Sequence, residues 1–441
     1  MPKKVLIVYE KFGMGHLRMA RILEDILQGE EAEVTVMAGS EMIGSDSVSG
    51  IVRLWNFLIR KNFIRTLDLV VNFIARMFIL PFIEVSDTAP YYKKLEEVKP
   101  DIIVSTADGF NKAIGVYAKE KGVPFYIFIT EISTFLDLVN PYATHICYFK
   151  ETGEAIQNFD FSKTYFSIDI NKETTLFEKI EYVLGYYKDF VIQAYKNSIY
   201  KNPNKKLDKL NDAKYRLIGP LAEKKHFKHK DVKKIKEKYE LNNGRDSVIL
   251  ASGSIGGNLL MNMVKLICSD YQKPLNLIVV CGRDKEIYKK INKFKAMNTN
   301  IDINIMPFQY IGNFDEMLAA ADCLIGRPSA GIFIESLLNK TPEITFRKAT
   351  TNDIGTLTMI EKYNIGKVAE NDKDAVKALE AILMNKDKYR KSIEKLLSSY
   401  CGTYEGKTEL LKDIVLREEN FEYLSHEKFD AHVGFNTSMS N

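Results

Sequence analysis

Cysteine is sparse in this chain, and tryptophan occurs once in 441 residues. The five cysteines are widely separated, and most lie inside apolar runs: Cys147, Cys268, Cys281, Cys323 and Cys401. An odd number of scattered cysteines argues against a disulfide framework and against a metal site built from paired cysteines. The pattern predicts reduced, buried thiols and a cytoplasmic protein.

Long apolar runs and an excess of one charge are also missing. No stretch has about 18 uninterrupted apolar residues, so we expect no transmembrane helix. The N-terminal lysines lead directly into an apolar strand pattern, so we expect no signal peptide. The net charge is +4, from 62 basic and 58 acidic residues, which gives no sign of a nucleic-acid partner. The length predicts two domains.

Apolar strand patterns alternate with helical patterns in both halves of the chain. The first half contains KVLIVYE, AEVTVMA, DIIVST, PFYIFIT and THICYF, and the second contains DSVILAS, LNLIVVCG, IDINIMPF, CLIG and PEITF. This alternation is typical of parallel sheets covered by helices. We therefore predict an α/β protein with two doubly wound, Rossmann-like domains that face each other across a cleft. The predicted ranges are 1–215, 216–400 and a C-terminal helix with a polar tail, 401–441.

The first strand is followed by a turn that contains two glycines and a histidine, in the sequence EKFGMGHLRMARIL. A dinucleotide-binding turn would have a third glycine where this sequence has His16. A histidine at the start of a helix can transfer a proton near neutral pH. It can also simply cap the helix or pack against it.

The second glycine turn, LASGSIGGNLLMNMVKLI, lies between a strand and a helix. Its small residues leave backbone amides accessible where the helix dipole favours an anion: Gly253, Ser254, Gly256, Gly257 and Asn258. A phosphate site and a plain tight turn are both compatible with this pattern.

A third stretch, AAADCLIGRPSAGIFIES, places small residues before a helix that carries Glu335. Ser329, Ala330 and Gly331 would admit a diphosphate close to the backbone. The Glu335 carboxylate could accept hydrogen bonds from both ribose hydroxyls. Taken alone, this glutamate could equally complement the helix dipole.

Together, FGMGHLRMA, SGSIGGN and AAADCLIGRPSAGIFIES, with RLIGP before the second domain, resemble glycosyltransferase family 28. That family has the GT-B fold and includes diacylglycerol sugar transferases, plant galactolipid synthases and the peptidoglycan N-acetylglucosamine transferase. The resemblance covers roughly residues 3 to 400.

The resemblance implies a role for each matching position. Gly13, Met14 and Gly15 would form an acceptor loop, and His16 would be the catalytic base. The donor, a UDP-sugar, would contact the second domain. Gly253 and Ser254 would lie near its phosphates. Arg327 and residues 329–331 would lie along the nucleotide, and Glu335 would contact the ribose.

Two family motifs are altered here. The donor-sugar motif aligns with Asn352, Asp353 and Thr356 without identity, although the first two can still hydrogen-bond a sugar. The Thr-Asp pair of the family is Thr130 and Glu131, which makes Glu131 the second candidate for the base, and a downstream tryptophan is missing. We predict neither a metal nor a cofactor, because backbone amides, the helix dipole and an arginine can offset the charge of the leaving group.

Residues 51–85 combine aromatic and aliphatic residues with arginines and a lysine. This pattern is typical of a helix that lies in a membrane interface, with Trp55, Phe57 and Phe63 as contacts. The alternative is a pair of core helices. We expect a peripheral protein on the cytoplasmic face of an anionic membrane.

These observations predict an inverting glycosyltransferase that moves a hexose from a UDP-sugar to a lipid hydroxyl. Transfer to a polyprenyl-diphosphate-linked or soluble acceptor is an alternative within the same class. A sugar-nucleotide 2-epimerase with the same fold and a non-catalytic binding protein are alternatives from other classes.

Overall fold

A computed structural model of the chain describes most of its residues. The described ranges are 1–11, 14–43, 49–70, 74, 90–134, 138–158, 175–178, 180–181, 183–185, 188, 213–253 and 256–417. Two of the predicted site residues, Gly13 and Ser254, lie outside them, as does most of the predicted polar tail.

The first domain is built on a six-stranded parallel sheet with the order β2-β1-β3-β4-β5-β6. Its strands are β1 (Lys3–Tyr9), β2 (Ala32–Ala38), β3 (Ile102–Ser105), β4 (Phe125–Phe128), β5 (Thr144–Cys147) and β6 (Lys214–Leu217). The interior strands β3 and β4 are buried at every position. Such strands are apolar throughout because helices cover both faces of the sheet.

The second domain repeats this architecture with the strand order β12-β11-β10-β7-β8-β9, again parallel throughout. Its strands are β7 (Asp246–Ala251), β8 (Leu275–Val280), β9 (Ile303–Phe308), β10 (Cys323–Gly326), β11 (Glu343–Phe346) and β12 (Gly366–Ala369). The predicted doubly wound α/β class is confirmed. Strand β12 was not among the predicted strands.

Helices connect the strands and cover both sheets. In the first domain they are α1 (Gly15–Leu27), α2 (Gly39–Ile43), α3 (Ser49–Arg60), α4 (Ile64–Leu67), α5 (Asn111–Lys121) and α6 (Lys150–Gln157). In the second they are α7 (Val232–Lys238), α8 (Asn258–Asp270), α9 (Lys285–Met297), α10 (Phe314–Ala320), α11 (Ala330–Leu338), α12 (Ile354–Tyr363), α13 (Asp372–Met384) and α14 (Lys386–Leu397). Separate apolar clusters lie on the two faces of each sheet.

The last described helix, α15 (Tyr404–Lys412), returns to the first domain. Leu411 and Ile414 join the same buried cluster as Val5 of β1, and Lys3 donates a hydrogen bond to the carbonyl oxygen of Leu416 at 2.5 Å. The C-terminal segment is therefore packed against both domains. The first sheet itself continues through Leu217, which is two residues beyond the predicted boundary. All five cysteines are free thiols.

The domains meet closely where α12 begins. A Cβ atom on Gly355 would lie 2.5 Å from the backbone nitrogen of Ser133, so only glycine fits this contact. The Ser133 hydroxyl accepts a 2.8 Å hydrogen bond from the Gly355 amide. A second contact joins Thr351 to Asp68, because the amide and the hydroxyl of Thr351 both donate hydrogen bonds to the Asp68 carboxylate. These contacts join the loop that follows β11 to the loop that follows β4 and to the end of α4.

Candidate functional site

His16 lies in the first turn of α1, close to the ends of β1, β3 and β4. Its ring is buried, and Nδ1 is 2.6 Å from the carbonyl oxygen of Thr106. A carbonyl oxygen only accepts, so Nδ1 carries the proton of the neutral ring. The Nε2 atom is then free to accept a proton, and it lies 3.6 Å from Oδ2 of Asp108.

Acidic side chains surround this histidine. Burial alone would lower the pKa of His16, but the carboxylates of Asp108, Glu10 and Glu131 outweigh it and raise the pKa above its ordinary value of 6.5. Glu10 is itself held by the amide of Gly109 at 2.6 Å. The cluster therefore stabilises the imidazolium that forms when His16 takes a proton.

Glu131 connects the His16 cluster with the second domain. Burial, reinforced by the carboxylates of Asp108 and Asp353, raises the pKa of Glu131 to about 8. Burial therefore favours the protonated form of this side chain near neutral pH. This protonation favours His16 over Glu131 as the proton acceptor.

Arg327 and Asp353 are the residues that face Glu131 from the second domain. An Nη2 atom of Arg327 lies 3.6 Å from Oδ2 of Asp353, which also accepts a 2.9 Å hydrogen bond from Thr350. Burial raises the pKa of Asp353, while Arg327 and Thr350 oppose the shift. Glu131 is therefore within electrostatic reach of both the His16 cluster and the Arg327–Asp353 pair. The amide oxygen of Asn352 is buried and has no hydrogen-bond partner among the described residues.

The beginning of α11 is open. A Cβ atom on Gly331 would have no heavy atom within 4 Å, and on Gly253 it would meet only Ile332 Cδ1, at 4.0 Å. Ser329 occupies the N-cap position without a side-chain hydrogen bond to the helix. The space beside the Cα atoms of Gly331 and Gly253 is therefore open, at the start of α11 and just after β7.

Gly256 and Gly257 are more tightly packed than Gly253 and Gly331. Gly257 has φ of 124°, and a Cβ atom there would lie 3.0 Å from the carbonyl oxygen of Arg60, at the end of α3. A Cβ atom on Gly256 would meet Asp284 at 2.5 Å. Packing against α3 and Asp284 already requires glycine at both positions. The open space is at Gly253 and α11, while Asn258 begins α8 beside this packing contact.

Glu335 lies in the second turn of α11 and is 4% exposed. Its carboxylate forms an ion pair with Arg18, which reaches it from α1 of the first domain. Burial raises the pKa of Glu335 to about 7, and Arg18 opposes this shift. The predicted ribose carboxylate is thus already engaged across the cleft.

The segment predicted to contact membranes is described through Leu67 of α4 and a few residues beyond. Phe57 and Phe63 are 51% and 53% exposed, whereas Trp55 is half-buried against Leu58, Ile59 and Leu67. Exposed cations lie among them: Arg53, Arg60, Lys61 and Arg65. No helix within the described ranges has both the length and the apolar character that a bilayer crossing requires.

Asp108, Glu10 and Arg18 are site residues that the motifs did not reveal. Glu10 and Arg18 flank the predicted glycine turn in the sequence, whereas Asp108 comes near His16 only because β1 and β3 are paired. For Glu10 and Asp108 the available signal was a position just after an apolar strand, which is the ligand-binding edge of an α/β sheet. Arg18 lies inside α1 and gave no such signal. Among the described residues, no group of three or more His, Cys, Asp or Glu side chains is placed to hold a metal ion.

Curated proteins of similar sequence are diacylglycerol glucosyltransferases. The chain is 24% identical over 190 residues to the processive diacylglycerol beta-glucosyltransferase of Bacillus cereus (strain G9842), covering 43% of this chain and 47% of that protein. The corresponding Bacillus licheniformis protein is 20% identical over 191 residues, covering 43% and 48%. The chain thus spans about half the length of these relatives, and no family model matches it. The predicted resemblance to glycosyltransferase family 28 is confirmed.

Solved structures with a similar fold include glycosyltransferases. MurG of Acinetobacter baumannii superimposes with a TM-score of 0.56 at 11% identity, covering 94% of this chain and 100% of that one. The calicheamicin glycosyltransferase CalG4 gives a TM-score of 0.52 at 11% identity, covering 98% and 100%. These similarities confirm the predicted GT-B fold.

Proposed function

We propose that this protein is an inverting glycosyltransferase that moves a hexose from a UDP-sugar to the hydroxyl group of a membrane lipid. The observation that carries the proposal is the meeting of two sets of residues across the cleft. On one wall Nε2 of His16 lies 3.6 Å from Asp108, and on the other Arg327 lies 3.6 Å from Asp353. Glu131 interacts with both sets.

The first wall would deprotonate the acceptor. The proton of the acceptor hydroxyl passes to Nε2 of His16 while the oxygen attacks the anomeric carbon of the donor sugar. Thr106 holds Nδ1 of the ring, so the ring presents Nε2 to the cleft. The imidazolium that results is stabilised by Asp108 and Glu10.

The second wall would receive the leaving group. As the new C–O bond forms, the bond between the anomeric carbon and the diphosphate oxygen breaks, and UDP leaves with the negative charge. The backbone amides at the start of α11 and the guanidinium of Arg327 would contribute to this wall. Both kinds of group stabilise developing negative charge, and Asn352 and Asp353 would hydrogen-bond the sugar.

A lipid acceptor is supported by two observations. The similar curated proteins are named as diacylglycerol beta-glucosyltransferases. In addition, α3 and α4 expose Phe57 and Phe63 among cations, and the Arg60 end of α3 packs against the Gly257 turn. A membrane bound at α3 and α4 would therefore lie beside the cleft, and we propose a peripheral attachment to anionic lipid.

The test is incubation of the purified protein with lipid extract and a panel of labelled nucleotide sugars, followed by separation of the lipids. We expect labelled glycolipid with a uridine diphosphate sugar, and none with His16→Ala. Label that enters only a water-soluble product would contradict the lipid acceptor. A changed nucleotide sugar without any transfer would indicate a 2-epimerase. No chemistry and no binding of any nucleotide would overturn the proposal.

A further inference from the structure

Arg18 is a cation that crosses between the domains at the donor wall. It lies two residues after His16 in the first turn of α1, and its Nη1 atom pairs with Glu335 of α11. Its Nε atom donates to Oε1 of Glu223 at 2.6 Å. One helix turn thus presents the proposed base to the acceptor wall and a guanidinium to the donor wall.

The carboxylate that Arg18 contacts has few other partners among the described residues. Glu335 is almost fully buried, and Nε2 of His226 lies 3.8 Å from its Oε1 atom. Asn339 donates to Nδ1 of His226 at 3.0 Å, and burial lowers the pKa of that histidine to about 3, so the ring is neutral. The ion pair with Arg18 therefore compensates the charge of Glu335 when the site holds no ribose.

We propose that Arg18 is a donor-recognition residue that exchanges partners when a nucleoside diphosphate binds. The ribose hydroxyls take over the Glu335 carboxylate, and the released guanidinium pairs with the diphosphate at the start of α11. This inference rests on the proposed function, because it assumes that the second domain binds a nucleoside diphosphate.

The distances along α11 permit this exchange. Glu335 and Gly331 are four residues apart, which is about 6 Å along a helix axis. Gly331 has open space around it, so a phosphate and a guanidinium can both be accommodated. Arg327 is already tied to Asp353 at 3.6 Å. A second cation is therefore valuable, since a diphosphate carries more than one negative charge.

The test compares two ligands, uridine and uridine diphosphate, by titration calorimetry. Uridine needs Glu335 but offers nothing to Arg18, so its binding to Arg18→Met should be equal to or tighter than that to the wild type. Uridine diphosphate loses a charge-assisted contact, so its preference over uridine should fall about tenfold or more. Arg21→Met is the matched control, because Arg21 lies on the same helix but forms its ion pair with Glu24 at the surface.

Arg18→Lys keeps the charge without the planar fork, so it should retain part of the preference for uridine diphosphate. If Arg18→Met proves unfolded by thermal melting, the loss of preference in Arg18→Lys decides instead. An unchanged ratio of the two affinities in these variants would overturn the proposed exchange of partners. An equal gain in affinity for both ligands would also overturn it, because that result would show only that a contact between the domains had been released. Wild-type protein that binds neither ligand would overturn the proposed function instead.

Discussion

Nε2 of His16 and Oδ2 of Asp108 lie 3.6 Å apart, although the two residues come from different connections of the first sheet. The pairing exists because β1 and β3 are adjacent parallel strands, so the segments that follow them share one edge. Thr106 fixes the other ring nitrogen at 2.6 Å. The imidazole is thereby oriented and made more basic by the same loop.

Asp108→Asn should move the acid limb of the pH–rate profile to lower pH. A base acts in its unprotonated form, so kcat/KM rises with pH through the pKa of His16, which the surrounding carboxylates raise above 6.5. Removing the nearest negative charge lowers that pKa, because Asp108 is the carboxylate that stabilises the imidazolium most. The measurement is kcat/KM between pH 5 and pH 9.

Glu131→Gln is the control for the assignment of the acid limb to His16. The pKa of Glu131 is about 8, so a limb due to this group would disappear in the variant. We expect the limb to remain, because His16 keeps Asp108 and Glu10 as neighbours in this variant. A flat profile in Glu131→Gln would transfer the role of the base to that residue.

His16→Ala should lower turnover by about 10²–10⁴-fold, the usual contribution of a positioned general base. Binding of uridine diphosphate should stay nearly unchanged, because His16 lies on the opposite wall. The matched control is His145→Ala. His145 is fully buried, bonds to Lys214 and Asn140 in the sheet, and has a pKa that burial lowers to about 4. That variant should melt earlier while its folded fraction keeps its activity, and the opposite pattern would contradict the assignment.

The fold could be predicted because buried parallel strands leave continuous apolar runs, such as IIVS at β3. Strand β12, with the sequence GKVA, escaped because it is an edge strand with an exposed lysine. The glycine turn at Gly256 and Gly257 has a physical reason that no local pattern reveals. It accommodates Asp284 and the end of α3, which are distant in sequence.

The candidate site could also be predicted in part from the sequence. His16 and Glu335 lie in the helices that follow two small-residue turns, so motif spacing is enough to identify them. Their contacts with other residues are different, because Thr106 lies 90 residues from His16 and Arg18 reaches a carboxylate in the other domain. Such pairs depend on strand order and on how the domains meet, and neither is encoded in a short window.

Gly355→Ala should destabilise the contact between the domains. The added methyl group would lie 2.5 Å from the nitrogen of Ser133 and 2.7 Å from the carbonyl carbon of Ile132, so backbone must shift. Overpacking of this kind costs about 1–3 kcal/mol. Thermal unfolding should show a lower midpoint, and turnover should fall as Glu131 moves away from Asp353. Gly312→Ala is the control, since a Cβ atom there meets nothing within 4 Å; equal midpoints in both variants would contradict the close contact.

Phe57→Ser with Phe63→Ser should weaken binding to lipid vesicles without unfolding the protein. Both rings are about half exposed, so their loss removes little buried area. The neighbouring cations, Arg53, Arg60, Lys61 and Arg65, should each contribute about 1 kcal/mol at an anionic surface. Sedimentation should therefore show stronger binding to anionic than to neutral vesicles and partial release at high salt, because salt screens charge but not apolar insertion.

Trp55→Ser separates this surface role from a core role. Trp55 packs against Leu58, Ile59 and Leu67, so its replacement should lower the unfolding midpoint while the phenylalanine variants leave it unchanged. If the phenylalanine variants melt as early as Trp55→Ser, and the wild type ignores anionic vesicles, then α3 and α4 serve only to pack the first domain against the Gly257 turn. A soluble acceptor would then fit the cleft better, because the lipid substrate would have no surface from which to reach His16.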